Sequence, residues 1–420
     1  MALPGMIEPA APDLFGGATA KQYWRGTQRA CSPEETLERV APYLDYYGIT
    51  RVANVTGLDR IGIPTYMVVR PNSRSLSVTQ GKGVDAPAAK VSGIMESIEA
   101  YHAEHPPCLT RLECYAALRQ EVAVVDPMTL PLGRHSPYSA VKPIPWTAGY
   151  DLLRRETVWV PFELVHTNAT LPRLPGSGCF VCSSNGLASG NTLGEAVLHG
   201  LCELIERDGL ALWEQAPAAD QARTRLDLST VDDAVCRELL ERYERAGVAV
   251  MAWDVSTDVG LPAFRVLIYD WSTDALLRPL GAAFGSGCHP DRAVALARAL
   301  TEAAQSRLTA IAGSRDDQTR LHYRSFQAAA ALDYYRELAA AGDGPLNFRA
   351  IPSLATASAE TDVARVLDRL RAVGCRHAVV VDLSRPGLPA QVARIIVSGL
   401  EGNTESPSYR PGARARARVA

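Results

Sequence analysis

Residues Ser183 to Trp213 read SSNGLASGNTLGEAVLHGLCELIERDGLALW, and the placement of charge in this stretch decides how the rest of the chain folds around it. A glycine-rich polar opening passes into an apolar run that carries Glu195, His199, Glu203 and Glu206 and is followed by Arg207. If the helix starts at Asn191 or Thr192 and turns about 100° per residue, the three glutamates and His199 fall within an arc of about 80°. Leu201, Leu204 and Ile205 lie on the opposite side. Such a helix buries its apolar side and presents a single face of carboxylates.

Two further helices repeat the arrangement. In SGIMESIEA, Ser92, Glu96 and Glu99 share an arc of roughly 60°, with Ile94, Met95 and Ile98 turned away. In RALTEAAQSRL, Arg298, Glu302 and Gln305 share about 60°, whereas Arg307 sits about 140° from Glu302. For any one helix a solvated face is the ordinary explanation. Against it, few lysines stand at i+4 to make surface pairs, and serine, asparagine and glutamine accompany the glutamates. Carboxylates gathered in one place repel one another and rise in pKa unless a cation sits among them. Magnesium suits hard oxygen ligands and bridges to nucleotide phosphates. The residues by themselves lead to a magnesium–nucleotide site or another acidic metal site.

The bulk composition fits this. At 420 residues, 47% hydrophobic and 21% charged, the chain has material for one large domain or two closely packed ones. A net charge of -3 from 43 basic and 46 acidic residues excludes a whole-chain footprint for nucleic acid. No run of about 18 apolar residues exists to span a membrane, and MALPGMIEPAAPDLFGG lacks the basic, apolar start of a signal peptide. With nine cysteines, an odd number, a reducing cytoplasmic setting is expected rather than a disulfide framework. Cys179 and Cys182 form a CxxC with no second pair at zinc-ribbon spacing, and are read as small packing residues.

Residues 1–20 read as a flexible arm, and residues 403–420, basic and proline-containing, as a disordered tail. Between them, a capping box at Ser32 and Glu35 opens a helix that runs to Gly48. ITRVANVTGLDRIGIPTYMVVRP gives two strands about the Asp59–Gly62 turn, and a Gly-Lys-Gly loop at residue 82 leads into the Ser92 helix. Residues 112–150 carry no clear period. VDDAVCRELLERYERAG, PDRAVALARALTEAAQSRLTAIAG and SFQAAAALDYYRELAAAG read as helices, VAVMAWDVST and LPAFRVLIYDW as buried strands, and VARVLDRLRAVGCRHAVVVDLSRP as a helix and strand of βα type.

Three blocks, SGIMESIEAYHAE, SNGLASGNTLGEAVLHGLCELIERD and ALTEAAQSRLTAIAGSRDD, resemble the ATP-binding blocks of the YcaO superfamily, in order. YWRGTQR, TGLDRIGIP and GKG resemble its N-terminal blocks, so the likeness spans Lys21 to Gly402. It implies a mixed α/β (α+β) catalytic domain over 21–402, with multi-stranded sheets and packed helices surrounding an ATP/Mg2+ site without a P-loop. Carried over residue by residue, Ser92, Glu96, Glu99, Asn191, Glu195, Glu203, Glu206, Arg207, Glu302, Gln305 and Arg307 form the nucleotide site. The glutamates would hold magnesium, and Arg207 and Arg307 would face phosphate. Lys82, Arg25 and Arg29 are further phosphate candidates that fit surface roles equally well. His199 and His289 are read as hydrogen-bonded structural residues. Ala100 and Ala299 depart from the family's usual arginine and serine, and neither change removes a ligand.

The resemblance also implies the chemistry. ATP activates a peptide-backbone amide, with Glu203, Glu206, Arg207 and Arg307 at the reacting end, and the nucleophile sets the product: sulfide gives a thioamide, a Cys or Ser side chain an azoline, an N-terminal amine a macrocyclic amidine. The wording MESIEAYHAE and LTEAAQSRLTAIAGSRDD is most similar to the subgroup paired with a TfuA-like partner, for which thioamidation of a ribosomally made precursor peptide is implied. The ending RPGARARARVA differs from the proline-rich tail of azoline formers. With some 20 residues before the resemblance, no fused leader-peptide domain is expected, so substrate capture needs a separate leader-peptide-binding partner or this domain's own surface, and family likeness extends to a homodimer. An ATP-binding scaffold within a maturation complex is the non-enzymatic alternative.

Overall fold

The three carboxylate helices pack against sheets and turn their polar faces toward a common space. A computed structural model of the protein describes residues 19–271, 282–321, 329–404 and 406–419. The expected N-terminal arm therefore lies outside the described residues apart from Thr19 and Ala20, as does the start of the SFQAAAA helix.

The first helix, α1 (Pro33–Val40), opens with the expected capping box: Glu35 N–H donates to Ser32 Oγ at 3.1 Å, and Ser32 N–H to Glu35 Oε2 at 2.8 Å. It ends before Gly48 because Pro42 has no N–H to continue the ladder, and the chain tightens into a 3-10 turn at Ala41–Tyr43. Strands β1 (Arg51–Asn54) and β2 (Thr65–Val69) flank the Asp59–Gly62 turn, and β3 (Val78–Lys82) completes an antiparallel sheet in the order β1-β2-β3. The Gly-Lys-Gly segment is thus partly strand. Gly81 is required there by close approach, since a Cβ on it would stand 2.1 Å from the Gly93 nitrogen of α2 (Ala86–Glu104).

The central sheet takes β4 (Arg111–Cys114), β5 (Pro143–Asp151), β6 (Glu156–Pro161), β7 (Leu187–Gly190), β11 (Ala378–Asp382) and β12 (Gln391–Val397). Its order is β4-β5-β11-β12-β7, with β6 also on β5. Two of these strands come from the stretch without clear period, where prolines interrupt the alternation. The helix preceding β11, α7 (Ala359–Ala372), follows the expected pattern, but β11 pairs antiparallel with both neighbours, so no parallel βα unit forms. A third sheet, β8 (Val248–Asp254), β9 (Ala263–Asp270) and β10 (Ala282–Cys288), is antiparallel in chain order and carries α5 (Arg292–Ala312). Gly285 lets that helix settle on β10, for a Cβ would lie 2.3 Å from Ala299 O.

Between central and third sheets runs α3 (Leu193–Glu214), capped by Thr192, whose Oγ1 accepts from Glu195 N–H at 3.2 Å. Leu201, Leu204 and Ile205 enter a core with Met251, Leu267 and Ile395. Helices α4 (Ala234–Arg245) and α6 (Ala329–Ala340) lie against the third sheet.

The tail expected to be disordered is instead ordered over its described residues and ends in α8 (Ala413–Val419). Alanine and arginine are strong helix formers, and the helix is tied down by a short acidic cluster. Arg414 Nε donates to Asp208 Oδ1 at 3.0 Å and also pairs with Asp258. Glu401 accepts from the Gly412 and Ala415 N–H groups at 2.7 and 2.9 Å. Among the described residues no helix is long and apolar enough to cross a membrane.

Candidate active site

One cavity of about 1710 Å³ is lined by Ser92, Glu96 and Glu99 from α2, by Asn191, Glu195, His199, Glu203, Glu206 and Arg207 at α3, and by Arg298, Glu302, Gln305 and Arg307 from α5. Lys82, Arg25 and Arg29 line it too. The candidate nucleotide-site residues therefore share one space, and their bonding divides them into groups.

Glu203 accepts no hydrogen bond from a described residue. Burial first, then the neighbouring Glu206 charge, push its carboxyl up to about 7, with Arg207 and Arg394 opposing. Glu99 accepts from Ser189 N–H at 2.8 Å and Oγ–H at 2.6 Å, yet burial, with Glu96 and Glu203 adding repulsion, raises it to about 8. Burial also raises Glu96, which is wetted by the open cavity but enclosed by protein. Glu302 behaves oppositely: burial would raise it, but Lys82, in direct contact, and Arg207 hold it down to about 2.

Ser286 on β10 links two helices. Its Oγ stands 2.6 Å from Glu206 and 3.1 Å from Glu302, and Arg207 Nη1 lies 3.4 Å from it. Ser189, Ser286 and the fully buried Arg394, which donates to Val165 O and Asn185 O, escape a sequence reading. Each is one small or charged residue on a strand without pattern of its own; the Gly-Ser runs LASG and FGSGC are the sole signal.

Two of the expected site residues have partners inside the chain. Arg307 donates from Nε to Asp59 at 2.8 Å and from Nη2 to Asp270 at 2.9 Å, so it ties α5 to the first and third sheets at the cavity wall. Glu195, expected to ligate metal, has both oxygens committed to backbone, accepting from Ala30 N–H at 2.5 Å and Asn191 N–H at 2.8 Å. Asn191 Oδ1 in turn accepts from Thr36 and Arg39 at 3.1 and 3.2 Å. His199 Nε2 accepts from Arg298 at 2.9 Å, and burial followed by that cation holds the imidazole neutral. His289 accepts the Asp291 N–H at 3.0 Å and is likewise lowered by burial. The nine cysteines are all free of disulfides, Cys179 buried and Cys182 exposed to the cavity.

The donor set can be tested against magnesium and ATP. Among the described residues no three acidic, histidine or cysteine side chains form a ready-made metal cage, so the expected six-glutamate ligand set is not a closed centre. Glu96, Glu99, Glu203, Glu206 and Glu302 instead ring a wide space, three of them raised in pKa. That fits a hard cation held by one or two carboxylates each, with phosphate and water completing its shell.

A pH dependence follows. Glu99 and Glu203 bind their protons more tightly in the folded chain, at about 8 and about 7, than at the ordinary 4.5. Their contribution to stability is therefore full below about 4.5 and is lost as pH rises through 7 to 8. In EDTA, the thermal midpoint is expected to fall from pH 5 to pH 8, and this fall to be shallower in Glu99→Gln/Glu203→Gln. An unchanged slope in that variant would show that these carboxyls are not mutually buried.

Known proteins resemble this chain over most of its length. A family model described as YcaO cyclodehydratase, ATP- and Mg2+-binding, matches residues 80–401. A Rhizobium leguminosarum bv. trifolii protein, described as uncharacterized in the tfuA 3' region, is 40% identical over 391 residues, 92% of each chain. The structure of YcaO from Methanopyrus kandleri bound with AMPPCP and Mg2+ has a TM-score of 0.72 at 23% identity, covering 94% of this chain and 98% of that one. A heterocyclase in complex with substrate and cofactor has a TM-score of 0.73 at 22% identity, covering 92% and 54%. The likeness to both structures is one of fold.

Proposed function

The chain belongs to the YcaO family, and we propose that it uses ATP to exchange a backbone-amide oxygen of a ribosomally made peptide for sulfur. The observation that carries the activation step is the convergence of carboxylates from three helices, three with raised pKa values, on one cavity. The 40%-identical relative from a tfuA 3' region supports thioamidation with a TfuA-like partner.

Glu96, Glu99, Glu203, Glu206 and Glu302 would hold magnesium, which when bound neutralises phosphate charge and orients the transferring group. Ser189 and Ser286 aim the Glu99 and Glu206 carboxylates. Arg207 stands on the cavity wall beside Glu206, where a guanidinium suits phosphate oxygens. Lys82, in contact with Glu302, adds a second positive charge. A nucleophile adds to the amide carbon, the oxyanion takes the terminal phosphoryl group of ATP, and phosphate departs with the original oxygen. The chain contributes orientation and fixed charge to this sequence rather than a nucleophile of its own. Arg307 and Glu195 act at one remove, holding α5 and the start of α3.

Cyclodehydration by the same activation is the second reading, favoured by the description of the matching family model. Purified protein is to be incubated with ATP, magnesium, a precursor peptide encoded nearby, sulfide and the TfuA-like partner. A gain of about 16 Da in the peptide is expected, since sulfur replaces oxygen. A loss of about 18 Da would instead assign azoline formation, and ATP bound with no peptide change would leave a scaffold.

A further inference from the structure

A second, much smaller cavity of about 20 Å³ shares a wall with the large one, since Arg29, Glu195, His199 and Arg298 line both. Helical spacing builds it. Glu195, Leu198, His199 and Cys202 stand at i, i+3, i+4 and i+7 on one face of α3, and Val294 and Arg298 lie one turn apart on α5. Cys288 at the end of β10 and Ala359 at the start of α7 complete the lining on other sides. A volume of this size holds one small species.

The hydrogen bonding around this cavity is lopsided. Arg298 Nη2 lies 2.9 Å from His199 Nε2. A guanidinium can only donate, so Nε2 accepts and Nδ1 carries the imidazole proton. That Nδ1–H is buried without a partner among the described residues, and so is Arg298 Nε–H. His289 repeats the pattern, its Nδ1 accepting from Asp291 N–H at 3.0 Å, which puts the proton on Nε2. Acceptors, by contrast, are spent: both Glu195 oxygens take backbone N–H groups, and Gln28 Oε1 takes Lys21 at 2.9 Å. Of the charged side chains that line the cavity, Lys21 is neutralised by direct contact with Asp362. Arg29 and Arg298 then face Glu195 alone, an excess of one positive charge.

We propose that this cavity binds one small monovalent anion, of the class that includes hydrosulfide and chloride, on the His199 Nδ1–H and Arg298 Nε–H donors. Donors kept from water without an acceptor are costly, and an anion satisfies both while closing the charge count. A water would accept from them, but its own protons would find no free side-chain acceptor. A nucleotide phosphate is too large for about 20 Å³ and belongs to the large cavity. The remaining walls, Leu198, Val294, Ala359 and the sulfurs of Cys202 and Cys288, suit a soft, weakly hydrated ion. Hydrosulfide as the occupant rests on the thioamide reading above: it is the nucleophile that reaction consumes, and the site adjoins the cavity where it is used.

Bromide is the probe, having chloride's charge, nearly its size and an anomalous X-ray signal. Crystals of the full chain soaked in sodium bromide are expected to show that signal beside His199 and Arg298. In solution, sodium bromide should raise the thermal midpoint by about 1 to 3 °C over sodium acetate at equal ionic strength. Arg298→Gln, which removes the charge, and Ala359→Val, which fills the cavity and keeps every charge, should each abolish both effects. Four results would overturn the site: an ordered water only in the soaked crystals; an adventitious ion only, seen in crystals with no rise in midpoint; a rise that survives both variants; or loss of bromide when magnesium and a non-hydrolysable ATP analogue are added. Competition identifies the occupant, and either answer upholds the site: hydrosulfide displacing bromide at lower concentration than chloride does assigns hydrosulfide, and the reverse order assigns chloride. Failure to form a thioamide would count against the proposed reaction and leave the bromide result standing.

Discussion

Replacing Glu203 by glutamine should lower ATP turnover by about a hundred- to a thousandfold while leaving the fold as stable as before or more so. The two effects have one cause. Glu203 takes no hydrogen bond from a described residue, and burial with the Glu206 charge nearby raises it to about 7. Its ionised form therefore weakens the metal-free fold and serves only a ligand. Glutamine keeps the shape, removes the charge and relieves the repulsion, which is the usual exchange of stability for function at a strained site. Phosphate release at saturating ATP and magnesium reads the first effect, and thermal unfolding in EDTA the second. Wild-type turnover would sink the site assignment; a large loss of stability would mean that Glu203 holds the fold together.

The largest loss of stability is expected in Arg414→Ala, whose partner Asp208 lies on α3 two residues past Glu206. Asp208 is wholly buried and its Oδ2 has no partner, so Arg414 is its principal counter-charge. Burial already raises the Asp208 carboxyl despite Arg414. Removing the guanidinium strands a buried acid, at a cost of about 3 to 5 kcal/mol. The direction with pH is fixed: without Arg414 the folded-state pKa of Asp208 rises further, so the loss is smaller near pH 5, where the acid takes a proton, and grows toward pH 8. Urea unfolding should show this, with Arg414→Ala/Asp208→Asn recovering part of the loss. A change below about 1 kcal/mol would place the pair among weak surface bridges.

The phase of α3 was legible because one residue pattern specifies both its faces. Leu201, Leu204 and Ile205 had to be buried, and that turned Glu203 and Glu206 together; Thr192 marked its start by side-chain chemistry alone. Helices α2 and α5 were readable for the same reason: their carboxylate faces led to an acidic metal site, and the family resemblance then gave each residue its place in a nucleotide site. The fate of Arg307 was not readable. Its partners Asp59 and Asp270 lie 248 and 37 residues away, and nothing local separates a guanidinium that faces phosphate from one that clamps two sheets. The partners of Glu195 were no more readable: they are backbone N–H groups, which leave no trace in side-chain patterns. Ser189 and Ser286 stand on strands rich in glycine, alanine and serine, where close helix approach replaces the β-branched signature. Composition misjudged the tail, because its order depends on an aspartate 206 residues earlier.

That separation has a meaning in time as well as in space. Asp208 leaves the ribosome 206 residues ahead of Arg414, which at ordinary rates of synthesis is about 10 to 40 s. Throughout that interval the helix that carries Glu195, Glu203 and Glu206 has an acid, two residues past Glu206, without its arginine. The sheets and helices that wall the cavity are all made before this seal arrives. The Asp208–Arg414 contact therefore joins walls that already exist, fixing a helix made 206 residues earlier.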